Sequence, residues 1–257
     1  TSLNYLDPVK GGYKGAPKFP TFNLYETLLY FYNKTNEKKY LDPVTLLIKQ
    51  ITSKGIYDHV EGGIARYTVD ENWIIPHFEK MLYDNAQFIL LLSKYCKINK
   101  DDYFKEKLAQ TIEFLNKEFL NKEGLLGSAY DADSEGQEGK YYVYLYEEIK
   151  DIKDINNYFE LDPKGNWENK IILVEKKKPP KEIIDKLLAI RTKKNKVKPT
   201  KEQRKSLEKS MNASDSSPRT RPVFFTSNPR SCSIPRASTR ANQEHWSLRH
   251  RFTCIRW

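Results

Sequence analysis

The sequence predicts a mainly α-helical fold made of αα-hairpins, and two observations lead to it. First, apolar residues recur at helical spacing on both sides of one long polar stretch, residues 55–85. These apolar sets are Val44, Leu47, Ile48 and Ile51 before the stretch, and Phe78, Met81, Leu82, Ala86, Ile89 and Leu90 from the end of the stretch onward. Second, residues that start or stop helices bound the periodic segments. The resulting order of helix, helix, long loop, helix and helix predicts hairpins whose loops share one side.

Two helices are predicted upstream of the long loop. Residues 22–35 carry apolar side chains on more than one helical face, which is typical of a buried inner helix. Asp42 and Pro43 are expected to start the second helix, with the aspartate as its N-cap and the proline at its first position. Gly55 is expected to end that helix.

Two further helices are predicted downstream of the loop. The third covers about residues 77–97 and starts after Pro76, because proline is tolerated at a helix start. His77 and Glu79 would then lie in its first turn, where a carboxylate is electrostatically favoured. The fourth helix covers about residues 103–121.

The remaining chain adds a small β element and a change of composition. The alternating residues of Tyr141 to Tyr146 predict a short β insertion near 140–146. The folded body is expected to cover residues 1–200, and residues 201–257 form an atypical tail. From residue 210 onward lysine and tyrosine are absent, while arginine, serine and proline take over. We interpret this tail as out-of-frame or foreign sequence, with a disordered basic arm as the alternative.

Composition argues against several classes of partner. Residues 210–257 carry +6 of the formal net charge of +10, so the body is nearly balanced and no nucleic-acid partner is predicted. No run of about 18 apolar residues predicts a membrane span, and residues 1–10 do not resemble a signal peptide.

The three cysteines are widely spaced, which fits a reducing cytoplasm. The sequence predicts no metal and no cofactor.

The long polar loop is the main candidate for function. It contains His59 and His77, half of the four histidines in the chain. Long loops that concentrate aromatic and ionisable residues usually carry function. We predict catalytic roles for His77 and Glu79, because a helix start would present them at a rim, and a substrate contact for His59. The alternative is that either histidine only bonds to a loop carbonyl.

Other loop residues are candidate substrate contacts. Arg66 stands almost alone in a Lys-rich segment, which suggests a need for the bidentate geometry of a guanidinium. An internal salt bridge is an equally good explanation of Arg66. Tyr67, Trp73 and Tyr130 could each stack on a sugar ring, and the alternative for each is packing in the core.

A Gly-rich acidic turn follows the fourth helix. Asp131 and Asp133, together with Glu135 and Glu138, begin like a calcium-binding loop. The twelfth position of that loop is Tyr142 rather than glutamate, so the EF-hand pattern fails. We predict that Asp131 and Asp133 form a catalytic carboxylate pair, with weak calcium binding or a capped acidic turn as alternatives.

Four segments resemble one protein family. They are G-G-Y-K-G-A-P-K-F-P at 11–20, G-I-Y-D-H-V-E-G-G-I-A-R-Y-T-V-D-E-N-W-I-I-P-H-F-E-K-M-L-Y-D-N at 55–85, D-A-D-S-E-G-Q-E-G-K-Y-Y at 131–142 and G-N-W-E-N-K-I-I-L at 165–173. They are similar to the YyaL-type thioredoxin-domain-containing proteins, whose animal relative is a spermatogenesis-associated protein. Glu61, Ile64 and Thr68 depart from the family pattern, and the resemblance stops near residue 200.

The resemblance implies both a fold and a function. Such proteins combine an N-terminal thioredoxin-like domain with an (α/α)6 barrel similar to six-hairpin glycosidases and N-acylglucosamine 2-epimerases. This chain would be a fragment covering the first part of that barrel, without the thioredoxin-like domain. The implied function is a carbohydrate-active enzyme, a hydrolase or an epimerase, that acts on a small sugar-like substrate in carbohydrate metabolism. The alternatives are a non-catalytic or redox-linked binding module, or a non-functional truncated product.

Overall fold

A computed structural model of the protein describes residues 2–122 and 124–194. The predicted tail at 201–257 lies outside the described residues, so its interpretation stays a prediction. The described part contains six α-helices, which are α1 (Phe22–Thr35), α2 (Lys38–Ser53), α3 (Leu82–Ile98), α4 (Asp102–Phe114), α5 (Tyr146–Ile149) and α6 (Lys181–Arg191). Two 3-10 turns (Ser2–Tyr5 and Ile155–Asn157) and one π turn (Leu115–Phe119) complete the helical elements. None of the described helices is long and apolar enough to span a bilayer.

The four long helices form two αα-hairpins. Helix α1 packs against α2, α3 packs against α4, and α1 also packs against α3. The buried apolar residues of α2 are those that the helical spacing singled out, and they belong to the same hydrophobic core as the buried residues of α3. The prediction of a mainly helical fold built from αα-hairpins is therefore confirmed.

Helix α2 begins earlier than the sequence indicated. It starts at Lys38, so Pro43 lies inside the helix and Asp42 is not its N-cap. The prediction for this start is wrong. Tyr40 and Leu41, which precede the proline, pack against the hydrophobic core. This burial offsets the hydrogen bond that proline removes.

Helix α3 begins later than predicted, at Leu82, and His77 and Glu79 precede it in extended backbone. Six two-residue strands lie in the described chain, namely β1 (Tyr67–Thr68), β2 (Pro76–His77), β3 (Lys80–Met81), β4 (Ala129–Tyr130), β5 (Asp133–Ser134) and β6 (Gln137–Glu138). They pair antiparallel as β1 with β2, β3 with β4, and β5 with β6. Strand pairing between distant segments therefore overrides the helix start that Pro76 suggested.

The β insertion occurs a few residues before its predicted position. Strands β5 and β6 lie at 133–138, whereas the segment 140–146 forms only one bridge, between Tyr144 and Ile171. Tyr146 already begins α5. The prediction of a short β insertion in this region is therefore confirmed, while the tyrosines of 140–146 themselves are held by packing against α6 rather than by a ladder. Arg191 lies within 6 Å of the ring centres of Tyr141 and Tyr144.

The long loop connects two hydrophobic cores. One core lies between α1, α2, α3 and α4, and Tyr57, Ile64 and Trp73 of the loop belong to it. The other lies between residues 144–173 and α6, and Val60 of the loop belongs to that one. The loop is therefore a packed part of the structure with a fixed path.

Candidate functional site

Strand pairing gathers most of the predicted site residues on one surface. Tyr67 lies opposite His77, and Asp133 lies opposite Glu138. Lys80 pairs with Tyr130, and continuing this register by one residue places Glu79 opposite Asp131. Side chains directly opposite each other in an antiparallel pair share a face. We call this surface the rim, and it comprises Arg66, Tyr67, His77, Glu79, Asp84, Asp131, Asp133 and Glu138.

Two glycines let the loop approach the helices closely enough to form this surface. Gly62 and Gly63 have φ angles of 87° and 78°, a conformation that side chains disfavour. A Cβ atom on Gly63 would lie 2.4 Å from the ring of Phe114 in α4. The loop can therefore pass over α4 only with glycine at this position.

His77 is oriented by a carboxylate. Its Nδ1 lies 2.7 Å from Oε1 of Glu138, and both side chains are partly exposed. Nε2 makes no hydrogen bond within residues 2–122 and 124–194. The ring of Tyr67 stacks on the imidazole, with 5.1 Å between the ring centres. A carboxylate that accepts from Nδ1–H leaves Nε2 as the nitrogen with the free lone pair.

Arg66, Glu79 and Asp84 form a second group on the rim. Arg66 Nη1 donates to Glu79 Oε2 at 3.2 Å, and the backbone amide of Arg66 donates to the carbonyl of Glu79 at 2.9 Å. Asp84 lies in the first turn of α3, and its buried Oδ2 has no hydrogen-bond partner among the described residues. Burial raises the pKa of Asp84 to about 6, with Glu79 adding to the shift and Arg66 opposing it. The group thus places the Arg66–Glu79 ion pair beside a carboxyl that retains its proton up to mildly acidic pH.

Asp131 and Asp133 form an acidic turn on the same surface. Oδ1 of Asp131 accepts a hydrogen bond from the amide of Asp133 at 3.2 Å, so part of its role is to shape the turn. Asp133 itself is exposed. Within the described ranges, no three histidine, cysteine or acidic side chains are arranged to hold a metal ion.

The structure places three predicted substrate contacts in the interior. His59 is buried between Glu175 and the carbonyl of Lys54, with ring nitrogens at 3.1 and 3.0 Å. Trp73 is buried in the helical core and donates to the carbonyl of Lys10 at 2.7 Å. Tyr130 is buried and donates to the carbonyl of Glu118. These residues do not reach the rim surface.

A buried ion-pair network lies beneath the rim, and Asp58 is its centre. Lys80 Nζ donates to Asp58 at 2.8 Å, and Arg191 Nη1 contacts both carboxylate oxygens at 2.8 and 2.9 Å. Burial opposes ionisation, but Arg191 and Lys80 outweigh it and hold the pKa of Asp58 well below its usual range. This arrangement joins the loop to β3 and to α6.

A second buried carboxylate extends the network. Glu175 accepts from Lys107 at 2.7 Å and contacts His59. Its burial favours the neutral form, yet His59 and Lys107 lower its pKa to about 2. A cavity of about 30 Å³ borders Asp58 and His59, which is room for about one water molecule and too little for a sugar. The buried network is therefore structural, and the rim is the candidate site.

Sequence reasoning missed Asp84 and Arg191. Asp84 had no local signal, because its environment depends on where α3 begins and on Arg66 and Glu79 from the loop. Arg191 did have one, since Arg66 and Arg191 are the only arginines in residues 1–200. Both form ion pairs in the structure, so the scarcity of arginine marked positions where a guanidinium is used.

The class of fold is a helix-rich assembly of αα-hairpins with small strand insertions, and sugar epimerases appear among similar solved structures. A sugar epimerase from a ruminal bacterium is 22% identical with a TM-score of 0.43, covering 50% of this chain and 36% of that one. Cellobiose 2-epimerases from Bacillus thermoamylovorans and Spirochaeta thermophila are 18% and 20% identical, each with a TM-score of 0.45. Each covers 50% of this chain, which spans 36% and 35% of theirs.

Similar proteins are also found by sequence. Spermatogenesis-associated protein 20 of Mus musculus and that of Homo sapiens are each 33% identical over 156 residues, which is 57% of this chain. An uncharacterized protein of Caenorhabditis elegans is 33% identical over 186 residues, 63% of this chain. No family model matches the chain. The chain is similar to spermatogenesis-associated protein 20, as its motifs indicated, and spans about a fifth of the length of the mouse and human proteins.

Proposed function

We propose that the rim is the site of a carbohydrate-active enzyme that transfers protons on a sugar substrate. The observation that carries the proposal is the pairing of His77 with Glu138, which leaves Nε2 without a partner among residues 2–122 and 124–194. An imidazole held this way can accept a proton from a bound substrate at Nε2. Glu138 acts on the substrate only through its contact with His77.

Asp84 and Glu79 supply the complementary groups. Glu79 is paired with Arg66, while Asp84 holds a proton up to about pH 6. A carboxyl that keeps its proton beside a second carboxyl with an ion-pair partner suits acid–base chemistry on sugars. In this proposal Asp84 is the proton donor, and Glu79 is available as a base or as a partner for a sugar hydroxyl.

The polar surroundings of the imidazole support a sugar as the substrate. Tyr67 stacks on His77 and holds its ring in place, and the surrounding carboxylates are good acceptors for hydroxyl groups. Asp131 and Asp133 lie on the same face of the molecule and extend this polar surface. A hydrolase and an epimerase remain the two candidate reactions, because both need an acid and a base placed in this way.

The proposal also covers the cell compartment and a partner domain. Cys96 is a free thiol in the structure, which fits a reducing cytoplasm. In longer relatives, we propose that a thioredoxin-like domain accompanies this helical part. Neither statement affects the chemistry proposed for the rim.

The test is incubation of the protein with a panel of reducing sugars and oligosaccharides in D2O. Deuterium appearing at C2, detected by NMR, shows the proton abstraction of an epimerase, whereas new reducing ends without exchange show hydrolysis. We expect one of these activities, and we expect His77→Gln to lower it by about 10²- to 10⁴-fold. The free energy of unfolding should change by no more than about 0.5 kcal/mol, because His77 is partly exposed.

A matched variant separates the site from general surface effects. Glu106 is exposed and paired with Lys178 away from the rim. Glu106→Gln should leave the activity unchanged, whereas Glu138→Gln should lower it. If the wild-type protein neither exchanges C2 hydrogen nor releases reducing ends from any sugar, the non-catalytic alternative replaces this proposal.

A further inference from the structure

Three aromatic rings stand in a row at the edge of the rim. The ring centres of Phe19 and Tyr67 are 4.7 Å apart with 25° between their planes, and those of Tyr67 and His77 are 5.1 Å apart with 27°. Both steps are stacked arrangements. The row therefore leads from the imidazole to Phe19, a residue that has no part in the function proposed above.

The backbone fixes Phe19 at the end of this row. Lys18 and Thr68 exchange two backbone hydrogen bonds, of 2.9 and 3.0 Å, which set Phe19 beside Tyr67. The Lys18 side chain is buried and donates to the carbonyls of Gly11 and Tyr13 at 2.6 and 2.9 Å. A ring held this way loses little conformational freedom when a ligand binds.

The outer face of Phe19 is open to solvent. The side chain is 45% exposed, and no other ring covers that face among the described residues. Most phenylalanines in this part of the chain are buried, and Phe31 on α1, at 43%, is the other one that is exposed. An exposed, rigid aromatic ring beside a polar site is the usual form of a stacking surface for a sugar.

The charge of the rim restricts which kinds of sugar can bind there. The rim carries five carboxyl groups, which belong to Glu79, Asp84, Asp131, Asp133 and Glu138, and its one permanent cation, Arg66, is already paired with Glu79. This surface is acidic in a protein whose formal net charge is +10. A phosphorylated or carboxylated sugar would be repelled there, whereas an uncharged sugar would not.

We infer that Phe19 is a stacking subsite for an outer sugar ring, and that the rim therefore takes an uncharged oligosaccharide of three or more rings. The inference rests on the proposed function. The two stacking steps put the Phe19 ring at most about 10 Å from the imidazole of His77, and the outer face of Phe19 lies farther away still. Neither a single sugar ring nor a disaccharide whose reacting carbon lies at Nε2 reaches that outer face. A third ring in the same molecule does.

The test compares sugars of increasing length on Phe19→Ala and on a matched control. The probes are glucose, cellobiose and cellotriose, and the same series of N-acetylglucosamine oligomers, with dissociation constants measured by calorimetry or NMR titration. Phe31 is the control, because it is equally exposed and stacks on Tyr40 at 5.5 Å, away from the rim. Thermal unfolding of both variants verifies that each remains folded.

We expect the wild-type protein to bind the three-ring sugars more tightly than the one- and two-ring sugars. Phe19→Ala should weaken binding of the three-ring sugars about three- to tenfold and leave the monosaccharide unchanged, whereas Phe31→Ala changes neither. Phe19→Trp keeps an aromatic ring at this position, so this variant should prefer the longer sugars as the wild-type protein does. Glucose 6-phosphate should bind more weakly than glucose to all variants.

The outcomes separate this inference from the proposed function. Sugar binding that is the same for all lengths, or a length preference that survives Phe19→Ala, overturns the subsite and leaves the catalytic proposal standing. Binding of an apolar peptide in place of any sugar overturns the subsite as well. If no sugar binds at any length and no turnover is found, the proposed function fails, and the subsite fails with it.

Discussion

The buried ion-pair network and the rim are built from the same loop, yet they differ in how their charges are satisfied. In the network, Asp58 contacts two cations and is fully enclosed. On the rim, and within the part of the chain that the structure describes, His77 keeps a free Nε2 and Asp84 keeps an unpartnered carboxyl oxygen. Burial with complete pairing produces rigidity, whereas incomplete pairing at a surface leaves groups able to exchange protons.

Extended backbone explains how one loop serves both regions. Successive side chains of a strand point to opposite faces, so adjacent residues have different surroundings. Lys80 points inward to Asp58, while its neighbour Glu79 pairs with Arg66 on the rim. A motif that matches a family along its whole length therefore mixes structural and functional residues, and the geometry is needed to separate them.

The largest expected effect comes from breaking the buried network. Asp58→Ala leaves Lys80 and Arg191 buried without their carboxylate, and we expect the free energy of unfolding to fall by about 3–5 kcal/mol. Asp133→Ala on the exposed turn is the matched control and should cost no more than about 0.5 kcal/mol. Urea unfolding measures both. Similar losses of unfolding free energy in the two variants would show that the network and the rim do not differ in their contribution to stability.

Acid pH should weaken the same network by a smaller amount. The folded pKa of Glu175 is about 2, below its ordinary value of 4.5, so the unfolded chain binds more protons between these values. Its contribution is full above about pH 4.5 and is lost as the pH falls towards 2. We expect a loss of about 2–3 kcal/mol, taken as the difference between wild type and Glu175→Gln across this range. Equal pH profiles for the two proteins would contradict the assignment.

On the rim, Asp84 should make the stability of the protein change with pH in the opposite direction. The folded pKa of Asp84 is raised from 3.8 to about 6, so the folded state holds the extra proton, and stability falls as the pH rises between these values. Asp84→Asn should therefore stabilise the protein at pH 8, by about 1 kcal/mol after allowance for solvent screening, and not at pH 4. The same variant should lose activity. A variant that is destabilised at pH 8 would show that Asp84 is a structural residue.

The sequence predicted the helices well and their boundaries poorly. The apolar spacing of α1 and of α2 is local, so it marked both helices. The start of α3 depends instead on β2 pairing with β1 and β3 with β4, and the second of these brings together segments about 50 residues apart. The β insertion was placed a few residues late for a related reason. Tyrosine alternation is a strand signal, but here packing against α6 decides the conformation.

Prediction of the candidate site from the sequence is limited in the same way, because it too depends on contacts between distant segments. Arg66, Tyr67, His77, Glu79, Asp131 and Asp133 were predicted from their residue types, and the structure brings them to one surface. His59 and Trp73 share those types, yet their surroundings are buried. Asp84 could not be found, because an aspartate near a helix start is ordinary until its neighbours are known.

The position of Arg191 affects how the protein folds while the ribosome is still synthesising it. It lies at the end of α6 and reaches Asp58 across 133 residues of chain. Until the ribosome has released this arginine, Asp58 faces Lys80 alone, and the second core lacks α6. Synthesis proceeds at about 5–20 residues per second, so the loop lacks its ion pair with Arg191 for several seconds or longer. Chaperone contacts and premature proteolysis should therefore concentrate on nascent chains that have not yet reached this residue.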